Sequence, residues 1–207
     1  GGDCVGEAAL AGECGISRAP VREALYQLEA EGLLMSHPKR GKCVTILTPD
    51  GIRNSYELSG LLESAAAVNA AKGLSAEVHG KLAALVGRMR EAVRAGGAFE
   101  EHASLGTEFH ETILSLSDNP LIRSLASRSS RVISKFLMYE RWRTLYTPEE
   151  LYDRHNRIYE ALCSGERRRI ENAVREHYAE SAERLARYCV PPDDKPRGTG
   201  KAHFPEE

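Results

Sequence analysis

The stretch from Gly15 to Gly32 constrains the fold of this chain more than any other. It places Ser17 where a helix N-cap is favoured, and Pro20 in the first helical turn, where a missing N–H costs no hydrogen bond. An inward-facing apolar stripe follows at i, i+4 and i+7, formed by Val21, Leu25 and Leu28. The pattern predicts a helix over residues 18–31 that ends at the second glycine.

A shorter helix precedes this one, and two strands follow it. Residues 5–14 have a helical pattern, and Gly15 ends it because glycine is favoured just past a helix C-terminus. Residues 33–36 and 43–47 have strand character, and the turn between them, HPKRGK, is rich in Pro, Gly and positive charge. The order of helix, turn, helix and hairpin predicts a helix-turn-helix with a wing.

Several side chains of this unit suit contact with DNA. The second helix of a helix-turn-helix enters the major groove with its N-terminal part, and arginine can bond guanine O6 and N7 with two donors at once. Serine hydroxyls and helix N-termini suit phosphate oxygens, and a basic hairpin tip neutralises phosphates. We call the following set the reader surface: Ser17, Arg18, Arg22, Lys39, Arg40 and Gly41. The alternative is a solvated helix and a basic turn, which the ordered series of signals disfavours.

The charge balance predicts modest non-specific affinity for nucleic acid. The whole chain of 207 residues has a formal net charge of −2. Residues 17–43 contain five cations, including Lys42, against three anions. Because this local excess is small, we expect a homodimer, which places two reader surfaces on one site in double-stranded DNA.

The sequence LAGECGISRAPVREALYQLEAEGLLMSHPKRGKCVTI resembles the winged helix-turn-helix of the GntR superfamily of bacterial transcription regulators. The resemblance covers about the first 47 residues and implies operator DNA as a partner. We assign residues 1–47 to this domain and residues 48–51, TPDG, to a linker. Domains of this family normally have another helix ahead of the point where this chain begins. Either residues upstream of Gly1 complete the domain, or it is incomplete here.

Residues 52–188 have helical patterning almost throughout, and they contain three histidines on apolar helix faces. Glycine- and proline-containing breaks divide the segment into about six helices, and residues 189–207 predict a flexible tail. His110, His155 and His177 each have apolar neighbours at helical spacing. Three imidazoles that point into one bundle could bind a divalent metal such as zinc or nickel. The alternative is three separate core histidines, each bonded to a neighbour.

The same segment resembles the FCD-type ligand-binding domain of the FadR-like branch, through EFHETI, SDNPLI, RHNRIYEAL and VREHYAES. The resemblance implies a bundle of six or seven helices around an effector cavity, and in many members a metal held by one aspartate and three histidines. It places His110, His155 and His177 on the histidine positions. The predicted fold class is therefore mainly α: an N-terminal winged helix-turn-helix and a C-terminal all-helical bundle.

Two positions depart from the pattern of the FCD family. The aspartate four residues before His110 is replaced by Gly106, and an arginine of the first helix is replaced by Ser59. We therefore expect three protein ligands for the metal, with a small carboxylate effector completing the shell. Glu63 and Arg131 are predicted effector-binding groups, and the alternative for both is a solvated helix charge.

These features predict a metabolite-responsive transcription regulator and not an enzyme. Two alternatives remain open: a metal-dependent enzyme that uses the three histidines, and a helical ligand-binding module with a degenerate DNA reader. No obvious nucleophile or general base accompanies the histidines, and an enzyme gives no reason for the arginine-bearing helix.

The location of the protein is predicted from what the sequence lacks. It has no apolar run long enough to span a membrane, and no signal peptide opens it. The five cysteines include no C-x-x-C pair, so we expect reduced thiols in a cytoplasmic protein.

Overall fold

The computed structural model describes residues 1–71, 74–129, 133 and 137–189. The N-terminal domain comprises β1 (Cys4–Val5), α1 (Glu7–Cys14), α2 (Arg18–Ala30), β2 (Leu34–His37) and β3 (Gly41–Val44). The described helices that follow are α3 (Pro49–Ala71), α4 (Ala76–Ala95), α5 (Phe99–Ser115), α6 (Pro120–Ser129), α7 (Tyr139–Trp142), α8 (Pro148–Ser164) and α9 (Arg167–Ala186). A winged helix-turn-helix followed by a helical bundle confirms the predicted fold class.

Helices α1 and α2 meet through a tight turn at Gly15. This glycine has φ of 66°, a left-handed conformation that lets the chain leave α1 and reach Ser17, the N-cap residue of α2. The apolar stripe of α2 packs against Ala11 of α1 and Leu34 of β2. This small core fixes the exposed face of α2, on which the arginines lie.

The wing is a three-stranded sheet rather than the predicted two-stranded hairpin. Strand β3 lies between β1 and β2 and runs antiparallel to both, so that Cys43 is opposite Cys4. The sequence pattern assigned Val5 to the first helix, which instead begins at Glu7. Pairing with β3 keeps this short segment extended.

Cys4 and Cys43 are joined by a disulfide, although they are 39 residues apart in sequence. The prediction that all five cysteines are reduced thiols is therefore wrong for this pair, because the strand register brings their side chains together. The cysteines that remain free are Cys14, Cys163 and Cys189. A disulfide that closes a loop of this length typically stabilises a fold by about 2–4 kcal/mol.

The segment predicted as a linker is mostly the first turn of α3. The Thr48 hydroxyl accepts a hydrogen bond from the Gly51 N–H at 3.0 Å, and the helix begins at Pro49. Proline is favoured at the first helical position, and Asp50 suits the positive end of the helix dipole. The 23-residue helix α3 therefore starts only a few residues after the wing.

Helix α3 packs along α9 and also contacts α5 and α6, while α8 contacts both members of this pair. Helix α4 packs against α5 and α8. The core contains the fully buried side chains Ile52, Leu82, Phe109, Ile113, Val174 and Leu185. No described helix is long and apolar enough to cross a membrane. Arg131 and residues 190–207 of the predicted tail lie outside the described residues.

The disulfide predicts how many cysteines react with iodoacetamide. In denatured chain purified without reductant, we expect adducts on the three free cysteines, and after reduction on all five, as counted by intact-mass spectrometry. Cys4→Ser should release Cys43, so that four residues react with or without reductant. Five adducts on unreduced wild type would contradict the disulfide.

Candidate functional site

His110 lies on α5 and is held from behind by a buried carboxylate. Its Nδ1 lies 2.6 Å from Oε1 of Glu63 on α3, and the other Glu63 oxygen accepts a hydrogen bond from the Tyr178 hydroxyl of α9 at 2.6 Å. An ionised carboxylate only accepts hydrogen bonds, so Nδ1 of His110 carries the proton. Its Nε2 therefore offers a lone pair to the bundle interior.

His155 lies on α8 and has the same tautomer for a different reason. Its Nδ1 lies 2.6 Å from the carbonyl oxygen of Leu151, one turn earlier, so Nδ1 donates and Nε2 offers its lone pair. A capping box between Thr147 and Glu150 fixes the start of α8 and hence this turn. Burial, reinforced by His110, lowers the pKa of His155 to about 3, which keeps the imidazole neutral.

His177 lies on α9, and its Nε2 is 3.1 Å from Nε2 of His110. Burial and then the positive charge of Arg154 hold the pKa of His177 well below its ordinary value. Its Nδ1 is buried and has no hydrogen-bond partner in the protein. Two facing lone pairs at this separation repel each other unless a proton or a cation lies between them, so the pair needs one or the other.

The three histidines form one cluster, which we call the three-histidine site. One ring nitrogen from each of His110, His155 and His177 lies within 4.8 Å of the other two. Three imidazoles with an open fourth position match the donor set of an open zinc site, and nickel also accepts nitrogen ligands. The cluster is thus chemically able to hold a divalent metal.

Gly106 lies directly against the His155 imidazole of this cluster. A Cβ atom at position 106 would lie 3.0 Å from Nε2 and 3.1 Å from Cε1 of His155. Any larger side chain would push against the imidazole from the backbone of α5. The glycine that replaces the aspartate of the family pattern therefore removes one possible ligand, and the His155 imidazole lies where a side chain at position 106 would begin.

The three-histidine site opens on a cavity of about 620 Å³. This volume suits a small-molecule ligand. Its walls include the aromatic or polar side chains Tyr56, His102, Tyr139, Trp142, Tyr146 and Arg154. Sequence reasoning missed His102, although it precedes Gly106 and His110 by four and eight residues and so shares their helix face.

Arg154 was also missed, because its neighbours in sequence give no sign of its environment. It is buried, lies over the Tyr146 ring at 4.2 Å, and donates hydrogen bonds to Glu180 and to the Ser181 hydroxyl. It also donates to the carbonyl oxygen of His177. These contacts fix Arg154 as part of the cavity wall.

Of the two effector-binding groups predicted from the sequence, the structure describes Glu63. Glu63 bonds to His110 and Tyr178 and is not among the residues that line the cavity. Arg131 lies outside the described residues. Ser59, which stands where the family pattern has arginine, is fully buried and its hydroxyl lies 2.6 Å from that of Ser129.

The α2 part of the reader surface is exposed on one side of the N-terminal domain. Ser17 precedes α2, and its hydroxyl makes no capping hydrogen bond within the helix. Arg18 and Arg22 are exposed, and Nε of Arg22 pairs with Oε2 of Glu7 at 3.1 Å. An exposed pair of this kind is weak, so it can yield to a DNA contact.

The tip of the wing presents Lys39, Arg40 and Gly41 to solvent. Gly41 has φ of 79°, a conformation that glycine adopts without strain. Lys42 points elsewhere: its ammonium group bonds to Glu29 and lies 4.5 Å from the centre of a tyrosine ring. Lys42 therefore stabilises the wing against α2 and is less available than its neighbours.

Models of two known families match the chain. The model described as "Bacterial regulatory proteins, gntR family" matches residues 2–44, and the FCD domain model matches residues 54–180. The FCD match includes all three histidines of the cluster, and the GntR match includes the whole reader surface.

Curated relatives carry the same kind of description. The uncharacterized HTH-type transcriptional regulator YdhC of Bacillus subtilis is 26% identical over 184 residues, which cover 89% of this chain and 82% of YdhC. The HTH-type transcriptional repressor RspR of Escherichia coli is 26% identical over 172 residues, which cover 81% and 73% of the two chains.

Solved structures share the fold. McbR/YncC of Escherichia coli aligns with a TM-score of 0.65 at 22% identity, over 90% of this chain and 89% of its own. The Listeria monocytogenes protein Lar aligns with a TM-score of 0.63 at 22% identity, over 90% and 88%. With the FCD model matching more than half of its length and the GntR model matching its winged domain, the chain belongs to the GntR family of bacterial regulatory proteins, among the members whose second domain is an FCD domain.

Proposed function

We propose that this protein is a transcription regulator whose DNA affinity changes when a small organic acid binds beside a metal in the FCD domain. The observation that carries the proposal is the convergence of His110, His155 and His177 on a cavity, in a chain that also presents an exposed helix-turn-helix. The cavity provides a binding site for the effector, and the helix-turn-helix provides the surface that binds DNA.

The metal in this proposal is zinc or nickel, held by the three-histidine site. Glu63 acts as a positioning residue, because its bond to Nδ1 of His110 aims Nε2 at the site. A divalent ion there supplies positive charge for an effector carboxylate, and position 106, a glycine, offers no side-chain carboxylate to compete for the open position. The effector therefore completes the coordination that a side-chain carboxylate would otherwise supply.

The partner in this proposal is double-stranded operator DNA. Arg18 and Arg22 read base edges from the first turns of α2, while Ser17 bonds a phosphate. Lys39 and Arg40 bond phosphates beside the adjacent groove, and Gly41 lets the wing backbone approach the duplex. The exposure of all six residues supports these roles.

The working unit in this proposal is a homodimer. Helix α3 packs on α6, and each of these two helices carries two exposed leucines. They are Leu58 and Leu61 on α3, and Leu121 and Leu125 on α6. Exposed apolar side chains on two packed helices suit a second copy of the same surface. Dimerisation also gives two reader surfaces, which compensates for the small local charge excess.

Replacing Arg22 tests the reader surface. Arg22→Ala should cost about 1–3 kcal/mol in binding a duplex that the wild-type protein selects from a random library, and should relax preference at one position. Titration at fixed salt measures the affinity. Arg167→Ala is the matched control, because Arg167 is also exposed and paired with a glutamate, at 3.0 Å. Equal affinities for wild type and Arg22→Ala would exclude base reading by this side chain.

Removing one imidazole tests the metal. His155→Ala should lower zinc affinity at least about tenfold, since one of three protein ligands is lost. Isothermal titration of metal-free protein with zinc measures this affinity, and circular dichroism checks that the variant is folded. His79→Ala, on the exposed surface of α4, should titrate like wild type. The metal role fails if His155→Ala and wild type bind zinc equally well.

Charges on the leucine surface test the dimer. Leu121→Glu combined with Leu125→Glu should convert a wild-type dimer into a monomer, because it places carboxylates in an apolar contact. Sedimentation velocity measures the oligomeric state. Met35→Glu, an exposed apolar position on β2, is the control and should leave the dimer intact. A double variant that sediments like the dimeric wild type would place the interface elsewhere.

A further inference from the structure

We infer that His102 is an effector-recognition residue, and that the effector is an acid with a second oxygen acceptor at the end away from the three-histidine site. The inference rests on the proposed function, which places the acid in the cavity of the FCD domain. It adds the chemical class of the effector, a dicarboxylic or hydroxycarboxylic acid, and the side chain that selects it.

The environment of His102 is the first support. The residue is 3% exposed, lines the cavity, and neither of its ring nitrogens has a hydrogen-bond partner in the protein. Burying a polar group without a partner costs free energy, and native proteins rarely leave both nitrogens of an imidazole in this state. A ligand oxygen in the cavity would supply the missing partner.

The place of His102 on α5 is the second support. His102, Gly106 and His110 are spaced by four residues, so they lie along one face of the helix. Eight residues of α-helix rise about 12 Å, which separates the backbone positions of the two histidines. The His155 imidazole lies against the glycine between them, and one cavity is lined by His102, His110 and His155 together. A short extended acid in this cavity can therefore lie between the three-histidine site and His102.

Three charged side chains that line the cavity make ion pairs or hydrogen bonds within the protein. Glu100 pairs with Arg143 at 3.5 Å, and Glu108 pairs with Arg88 at 3.6 Å, so neither carboxylate is an unpaired negative charge that repels the acid. The two terminal nitrogens of Arg154 bond to groups of α9, while its Nε is buried without a partner. His102 differs from Arg154 because both of its polar atoms lack a partner, so it can donate a hydrogen bond to the far end of the acid.

Acid binding to zinc-loaded protein tests the inference. We expect wild type to bind succinate or 4-hydroxybutanoate at least about tenfold more tightly than butanoate, because each has the second oxygen acceptor that butanoate lacks. Adipate and hexanoate repeat the comparison at six carbons. Calorimetric titration measures each affinity, and the two four-carbon acceptors distinguish a carboxylate from a hydroxyl.

Two variants assign the preference to His102. His102→Leu should reduce the tenfold preference to less than twofold while zinc affinity stays at the wild-type value. His102→Asn, which keeps a donor and an acceptor, should retain part of the preference. His79→Leu makes the same chemical change on the surface and should behave as wild type. An unchanged preference in His102→Leu would overturn the inference, and so would a wild type without any preference.

Thermal unfolding separates recognition from a structural role. Replacing an unpartnered buried imidazole by leucine should leave the Tm of the acid-free protein unchanged or raise it, while the Tm increase caused by the preferred acid shrinks. A Tm that falls by several degrees without acid would mean that His102 only supports the fold. If wild type fails to bind zinc, the metal of the proposed function fails instead, and the acid preference of metal-free protein still tests His102.

Discussion

The hydrogen bond between Glu63 and His110 is the interaction on which the functional part of the structure depends. A buried carboxylate is costly unless donors surround it, and Glu63 has two, the imidazole of His110 and the hydroxyl of Tyr178, each at 2.6 Å. Burial of Tyr178, and then the negative charge of Glu63, raise the pKa of Tyr178 well above the ordinary value, so the tyrosine remains a donor. The bond joins α3, α5 and α9 and fixes the tautomer of His110.

Helix α3 also connects this centre with the DNA-binding domain. It carries Glu63 near its middle and begins at Pro49, a few residues after the last strand of the wing. A second connection is the hydrogen bond from Arg128 of α6 to the carbonyl oxygen of Ala30, where α2 ends. In the proposed mechanism, an effector changes DNA affinity only if it binds two placements of these elements unequally.

Local patterns in the sequence were enough to predict much of the fold and part of the site. Helix α2 was predicted to within one residue at its C-terminal end, because the cap position, the apolar stripe and the glycine stop all act locally. The grouping of three histidines was also predicted, from apolar helix faces and family motifs together. Their convergence in one cluster agrees with that expectation, while their role as metal ligands remains a prediction.

Features that depend on pairing between distant segments were not predicted. The pairing of Cys4 with Cys43 depends on the register of β1 on β3. The position of Glu63 depends on its contact with His110, which is 47 residues away in sequence. The first turn of α3 was interpreted as a linker because proline, aspartate and glycine are common both in linkers and turns and near the start of a helix. In each case the deciding contact is tertiary.

One face of helix α5 carries the residues that distinguish the proposed site from the family pattern. In the family pattern a carboxylate occupies position 106, and here glycine lets the His155 imidazole approach the backbone. In the proposed function, that exchange moves the acidic ligand from the protein to the effector. One turn away, His102 has both ring nitrogens without a partner in the protein. Because these residues share one face, we expect substitutions along it to alter the proposed recognition while Phe109 and Ile113 keep the helix in the core.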